Sequence, residues 1–243
     1  MATGGIAHTF AKALVNTKGS KLAAAASRSI DKAKAFAGEF GAERFYGSYE
    51  ELAKDPEIDV IYIATPMHSH YKDMLLCLEN GKNVLCEKTV TLNAAQFEAC
   101  IRLAEKKNLF LMEAMWMKTL PIFKAVKAAV NDGKIGGIRL IKADFTSVCE
   151  YNKEGRIFNP ALGGGSLFDL GVYNLAIATS FLGTKPDSIE TAAYIGETNV
   201  DYAAHITLKY KNAAAVLLSA LDMPSNSDAH IIGTLGRIEL GNY

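Results

Sequence analysis

Ala2-Thr3-Gly4-Gly5-Ile6-Ala7 runs directly into a helix-patterned stretch, His8 to Asn16, and its reading decides the fold. A dinucleotide-binding fingerprint is a strand, then G-x-G-x-x-G/A, then a helix whose first N–H groups receive the pyrophosphate. Gly4 and Ala7 fill the second and third positions of that pattern. Ala2 stands where a glycine makes the tight turn, and no strand precedes the loop. A glycine pair ahead of a helix is equally an ordinary cap, so the assignment depends on the elements C-terminal to it.

From Lys21 to about Glu113, short apolar runs alternate with helical patterns, as in βαβ units of a mostly parallel sheet. Strands are predicted at 21–27, 44–46, 59–64, 83–86 and 109–112. Helices are predicted from the Arg28–Asp31 break to Phe40, over 49–53 behind the cap Ser48 with its capping-box partner Glu51, over 71–79, and over 94–107. A further helix runs from Pro121 to about Asn131, and the style then changes. Residues 138–148, 188–196, 202–210, 214–221, 229–232 and 237–240 alternate apolar and polar, the period of a sheet with one solvated face. One helix, Ser166 to Phe181, interrupts them behind Gly163-Gly164-Gly165, which reads as a flexible approach. The chain therefore divides into an α/β domain, 1–118, and an α+β domain, 119–243.

Composition narrows the function. The 243 residues are 49% hydrophobic, as in a globular protein with a core, and Lys+Arg equals Asp+Glu at 26 each. That balance gives no global pull toward nucleic acid or an anionic membrane and favours a small-molecule partner. Cys77, Cys86, Cys100 and Cys149 show no C-x-x-C spacing, which predicts reduced thiols and a cytoplasmic location. No apolar run reaches the 18 or so residues that span a bilayer.

In a doubly wound sheet, ligands bind beyond the carboxyl ends of the strands. Ser27-Arg28 follows the 21–27 strand about 20 residues past the glycine loop, where an acid would hold the ribose 2′-hydroxyl of NAD. Arg28, with Ser27 and Lys32, instead suits the 2′-phosphate of NADP through charge-assisted hydrogen bonds, so NADP is expected ahead of NAD. Thr65-Pro66-Met67-His68-Ser69-His70 follows the 59–64 strand, and Glu87-Lys88-Thr89 follows 83–86. The histidine pair has no third ligand at a supporting spacing, and no metal is expected. Lys88, at a strand's carboxyl end, points to the crevice where a nicotinamide would lie. Asp169 and Tyr173 are four apart on one helix and share a face. A phenol and a carboxylate opposite a lysine suit proton transfer at a carbinol oxygen, since an ammonium favours the phenolate. Trp116, with Met112, Met115 and Met117, reads as the lining of an apolar pocket or as core.

Thr3-Gly4-Gly5-Ile6-Ala7, Ser27-Arg28, Thr65-Pro66 through His70, Cys86-Glu87-Lys88, Met112 through Trp116, and Gly163 through Tyr173, in this order, resemble the Gfo/Idh/MocA family of oxidoreductases, and within it the dimeric dihydrodiol dehydrogenase branch. The resemblance covers nearly the whole chain. It implies an N-terminal Rossmann domain, a C-terminal domain with an open, mostly antiparallel sheet, and hydride transfer between NAD(P) and a hydroxyl carbon of a sugar, inositol or cyclic diol. It places Gly4, Gly5, Ile6, Ser27, Arg28, Thr65, Pro66, His70, Glu87 and Lys88 at the cofactor. It also places Lys88, Tyr173 and Asp169 in catalysis, with Tyr173 as acid/base, and Trp116 in the substrate pocket. A homodimer or higher homo-oligomer is implied. The alternative is a non-catalytic dinucleotide- or sugar-sensing regulator of the same fold.

Three features depart from the family pattern. Thr89 replaces the proline of the Glu-Lys-Pro motif, Ala2 replaces the first glycine, and the chain stops at Gly241-Asn242-Tyr243, short of the remaining sheet and closing helix. The chain reads as truncated at both ends. Lacking a central strand, it is expected to forfeit on the order of 5–15 kcal/mol and to fold poorly alone.

Overall fold

Ser29, Ser48 and Asn93 each close an extended stretch and open a helix, their side-chain oxygens accepting the backbone N–H of Lys32, Glu51 and Gln96. These caps set the rhythm of the first of two compact units, Met1–Ala114; the second begins at Met115. The computed structural model describes residues 1–241. Of the predicted terminus Gly241-Asn242-Tyr243, the last two residues lie outside the described residues.

The first unit contains α1 (Gly5–Val15), β1 (Ala24–Ala26), α2 (Ile30–Phe40), β2 (Arg44–Tyr46), α3 (Tyr49–Lys54), β3 (Val60–Ile63), α4 (Met67–Glu79), β4 (Asn83–Cys86), α5 (Ala94–Lys107) and β5 (Leu111–Glu113). All pairings are parallel, but the strands form two sheets, β1-β2 and β3-β4-β5. Met1 and Ala2 lie between them. Ala2 N–H donates to the Ala26 carbonyl (2.9 Å), Met1 N donates to the Tyr62 carbonyl (2.9 Å), and Ala64 N–H donates to the Met1 carbonyl (3.1 Å). Two residues thus hold the carboxyl end of the position that the 3-2-1-4-5-6 order gives to a central strand. Ile61, Ile63, Met74, Leu78, Val84 and Cys86 make the core. Burial pushes the Cys77 and Cys100 thiols up to about 12 and about 11, which keeps them protonated and unreactive.

The second unit has a 3₁₀ turn (Trp116–Thr119), α6 (Pro121–Asn131), β6 (Ile138–Thr146), α7 (Val172–Leu182), β7 (Ser188–Ile195), β8 (Asp201–Tyr210), β9 (Ala213–Ala220), β10 (Asp228–Gly233) and β11 (Arg237–Gly241). Its six-stranded sheet, in the order β11-β10-β6-β9-β8-β7, is antiparallel except for the parallel β6–β9 pair. Ile141, Leu217 and Ile231 pack with Ile177 and Ala178 of α7, so one sheet face is covered.

The structure corrects five expectations. β1 spans three residues of the predicted seven, and β5 lies at 111–113 instead of 109–112. α4 starts at Met67, four residues early, because Pro66 takes the N-cap position and Asp73 ties the first turn by accepting the hydroxyls of Thr65 (2.6 Å) and Ser69 (2.9 Å). The triple glycine is not a flexible approach but a close fit. A Cβ on Gly164 would lie 2.5 Å from the Ile157 carbonyl oxygen, and one on Gly165, at φ +122°, would lie 2.1 Å from an Asp201 carboxylate oxygen. The fifth concerns Pro160–Leu182, which is long and apolar enough to cross a membrane by length and composition. It is interrupted at Gly163–Gly165, and its Tyr173, Ile177 and Ala178 belong to the core of the unit.

Candidate active site

The carboxyl ends of the first unit's strands meet through backbone hydrogen bonds. Beyond the loop that joins Met1 and Ala2 to Ala26 and Ala64, Glu87 N–H donates to Ile63 (2.9 Å) and Ala114 N–H donates to Cys86 (2.7 Å). The residues that end β1, β3 and β4 therefore gather on one rim. Gly4 caps α1 without a side-chain hydrogen bond, and the first turn carries no acid. A Cβ added at Gly4 or Gly5 meets no atom within 4 Å. An uncapped helix start with open space before it is what a dinucleotide pyrophosphate needs, and Gly4, Gly5 and Ile6 fit that group. Ala2 adopts φ +69°, a conformation that glycine takes freely and alanine does not.

Ser27 is buried, and its hydroxyl accepts the Ser29 N–H (3.3 Å), which shapes the turn beyond β1. Arg28 is exposed at the start of α2 and makes no ion pair among the described residues. An uncommitted guanidinium where NAD sites carry an acid fits a 2′-phosphate.

Tyr62 stacks on Phe10 (ring centroids 3.8 Å apart) and donates to Glu87 Oε1 (2.5 Å). Burial, followed by that carboxylate, pushes the Tyr62 phenol well above its usual range, so it stays a donor. The other Glu87 oxygen accepts the Lys88 N–H (3.2 Å), and Val90 N–H donates to Glu113 (3.1 Å). The Lys88 turn is thus held from both sides, and its Lys88–Thr89 peptide bond is cis. His70 is 1% exposed, with Nε2 against the Thr65 carbonyl (2.7 Å) and Nδ1 against the Thr89 carbonyl (3.0 Å). Both ring nitrogens lie against the chain's own backbone carbonyls. His68, also expected in the loop, lies in α4.

In the second unit the chain enters α7 through a π-helical turn, Leu167–Gly171, in which Val172 N–H reaches back to Leu167. Such turns gather at functional positions. Asp201 caps it, accepting the Ser166 hydroxyl and the Leu167 N–H at 2.7 Å each. Asp169 lies in the π turn and Tyr173 in α7. The Asp169 carboxylate pairs with Arg156 (2.8 Å). Tyr173 is 9% exposed, packs against Phe145 (5.3 Å), and its hydroxyl oxygen accepts the Trp116 indole N–H (3.2 Å). Trp116 itself is half exposed, whereas Met115 and Met117 are core. Arg156, Asp201, Tyr62 and Glu113 carry no local sequence signal; the partners named here lie 13 to 35 residues away.

A Rossmann-type rim with an uncapped glycine turn, in a chain whose second unit aims an indole N–H at a phenol, defines a nicotinamide-dependent oxidoreductase. Residues 2–115 match the family model described as oxidoreductase family, NAD-binding Rossmann fold, and residues 123–239 match the GFO/IDH/MocA C-terminal domain. The chain belongs to the Gfo/Idh/MocA family of NAD(P)-dependent oxidoreductases. It is 40% identical over 222 residues to a trans-1,2-dihydrobenzene-1,2-diol dehydrogenase of Xenopus tropicalis, covering 90% of this chain and 67% of that relative. With its counterpart in Xenopus laevis it shares 38% identity over 245 residues, or 99% and 74%. Among solved structures, KijD10, a 3-ketoreductase from Actinomadura kijaniata in complex with NADP and TDP-benzene, superimposes with a TM-score of 0.87 at 27% identity, covering 98% of this chain and 74% of that one.

Proposed function

We propose that this protein is an NADP-dependent dehydrogenase that acts on a cyclic vicinal diol or a related sugar hydroxyl. The observation that carries the reading is the Trp116 indole N–H aimed at the Tyr173 hydroxyl oxygen (3.2 Å), a donor that orients a phenol and favours its ionised form. NADP, when bound, supplies the two-electron acceptor for the hydride leaving the carbinol carbon. Tyr173 takes the hydroxyl proton in oxidation and returns it in reduction. Asp169, anchored by Arg156, holds the adjoining turn in place. Lys88, on the rim that its neighbour Glu87 stabilises, orients the reacting oxygen. Arg28 selects the 2′-phosphate. The diol class is supported by the activity for which the Xenopus relatives are named.

The test is initial-rate kinetics with trans-1,2-dihydrobenzene-1,2-diol, D-xylose and myo-inositol, each with NADP⁺ and NAD⁺. Turnover of the diol with NADP⁺ preferred is expected. In the Arg28→Ala protein, loss of a charge-assisted bond should raise the KM for NADP⁺ about 10- to 100-fold and leave NAD⁺ unaffected. Turnover confined to a sugar would replace the diol, and equal loss with both dinucleotides would remove Arg28 from selectivity.

A homodimer is part of the same reading. It is supported by the edge strand β7, exposed over its whole length with Ile189, Tyr194 and Ile195, and by Val216, exposed between the buried Ala215 and Leu217 of β9. A monomer mass in solution at micromolar concentration would overturn it.

A further inference from the structure

Ser219, on β9, meets both ends of the π turn that leads into α7. At the near end its hydroxyl oxygen lies 3.0 Å from that of Ser166. At the far end a Cβ on Gly171 would stand 2.9 Å from the Ser219 hydroxyl oxygen, so the helix backbone comes closer to the strand than any side chain would allow. Asp201, which opens the neighbouring strand β8, takes the near end as well. One of its carboxylate oxygens accepts the Ser166 hydroxyl and the Leu167 N–H at 2.7 Å each, and the other fills the space beside Gly165. Ser166 is completely buried and Ser219 is 2% exposed, so these bonds are shielded from water and strengthened by it. Further on, Asn174 ties α7 to the Leu218 carbonyl (2.7 Å). A π turn holds about one residue more than an α turn, and one residue of helix is about 100° of rotation and about 1.5 Å of rise. A turn that slips toward ordinary α bonding therefore moves its two sides against each other by a large part of that step. Tyr173 stands two residues past Gly171.

We infer that Asp201 and Ser219 are positioning residues: from adjacent strands they clamp the two ends of the π turn and so set where α7 presents the Tyr173 hydroxyl. Asp201 fixes the start of the turn, and Ser219 fixes both the start and the approach of Gly171. The inference rests on the role assigned to Tyr173 above. It predicts that loss of the clamp lowers the rate of the chemical step. Dinucleotide affinity, which depends on residues of the first unit, stays nearly as it was.

The experiment compares the full parent chain with Asp201→Ala, which removes the acceptor, and Asp201→Asn, whose amide oxygen still accepts from Ser166 and Leu167 without a charge. Trp116 is the sole tryptophan of the chain and is bonded to the Tyr173 hydroxyl, so its emission maximum reports a displaced phenol without any turnover. In Asp201→Ala that maximum is expected to move, as it does in Tyr173→Phe. Turnover of the diol with NADP⁺ reads the consequence: kcat about 10- to 100-fold lower in Asp201→Ala, with Kd for NADPH within about threefold of the parent. Asp201→Asn should keep the parental emission and lie within about fivefold of the parental kcat. Parental emission together with parental kcat in Asp201→Ala overturns the inference. So does equal loss of kcat and NADPH affinity, or an Asp201→Asn protein no better than Asp201→Ala. If Asp201→Ala does not fold, Ser219→Ala is read in its place: it loosens the clamp from the other strand, with kcat about fivefold lower and the emission moved, and parental values overturn the inference. A Tyr173→Phe protein that keeps the parental kcat, while Asp201→Ala still moves the emission, marks the failure of the Tyr173 reading and leaves the clamp standing.

Discussion

Trp116 donates its indole N–H to the Tyr173 hydroxyl oxygen over 3.2 Å, with the two rings edge-to-face at 6.4 Å. The residues are 57 apart in sequence. A donor aimed at the phenol oxygen stabilises the phenolate more than the phenol. Trp116→Phe keeps the ring and removes the donor. The rising limb of kcat/KM against pH, measured in the direction of alcohol oxidation, should then move up by about one unit, the worth of one hydrogen bond to a charged group. An unmoved limb with a raised substrate KM would make Trp116 a pocket wall only.

Tyr173→Phe removes the hydroxyl and keeps the packing against Phe145. Loss of a positioned acid/base costs typically 10²- to 10⁴-fold, so kcat should fall by roughly that factor while NADPH affinity, read by fluorescence titration, stays the same. Parental turnover in this variant would remove the phenol from the proton transfer.

Asp55 accepts the Tyr46 hydroxyl (2.7 Å), the Glu57 N–H (2.9 Å) and the Arg44 guanidinium (2.7 Å). These contacts, the Tyr46 hydroxyl first, hold its carboxyl at about 2, below the ordinary 3.8. A depressed carboxylate stabilises the fold fully above its unfolded pKa and ceases to do so as pH falls through the folded one. The Asp55 contribution to Tm should therefore be constant above about pH 5 and disappear between about 4 and 2. Asp55→Asn should flatten that part of the Tm–pH curve, and a curve of parental shape would refute the assignment.

Ala2 holds φ +69° between the Ala26 and Ala64 edges. The left-handed conformation costs an alanine roughly 1–2 kcal/mol, and glycine returns part of that, offset by its larger unfolded-state entropy. Ala2→Gly should stabilise the first unit by about 0.5–1 kcal/mol in urea unfolding. A destabilised variant would show that the turn is not strained.

Gly165 combines φ +122° with the Asp201 carboxylate where a Cβ would stand. Gly165→Ala should cost about 2–3 kcal/mol and displace the carboxylate that caps the π turn, so that kcat falls as well. A neutral effect on the melt would mean that the turn yields.

Much of the fold is legible in the sequence because it depends on neighbours in the chain. Ser48 with Glu51, and the strand at 83–86, need only a cap within three residues and a period of two. The limits of β1 are not legible, since alanines 23 to 26 carry no pattern that says where pairing with Arg44–Tyr46 stops. The start of α4 is hidden because Thr65-Pro66 reads as a loop until Asp73, eight residues on, is seen to accept the Thr65 hydroxyl.

The order of elements, the two-domain division and the residue types at the strand ends are all written in the linear chain: a glycine pair, an arginine instead of an acid, a lysine, and a helix bearing a carboxylate and a phenol. Periodicity and capping act over three or four residues, and that information is local. Which of those groups meet is a matter of packing. His70 lies against the Thr65 and Thr89 carbonyls, Arg156 holds Asp169, and Trp116 points at Tyr173. A hydrogen bond needs its atoms within about 3 Å, and for segments tens of residues apart that distance is set by how sheets and helices pack.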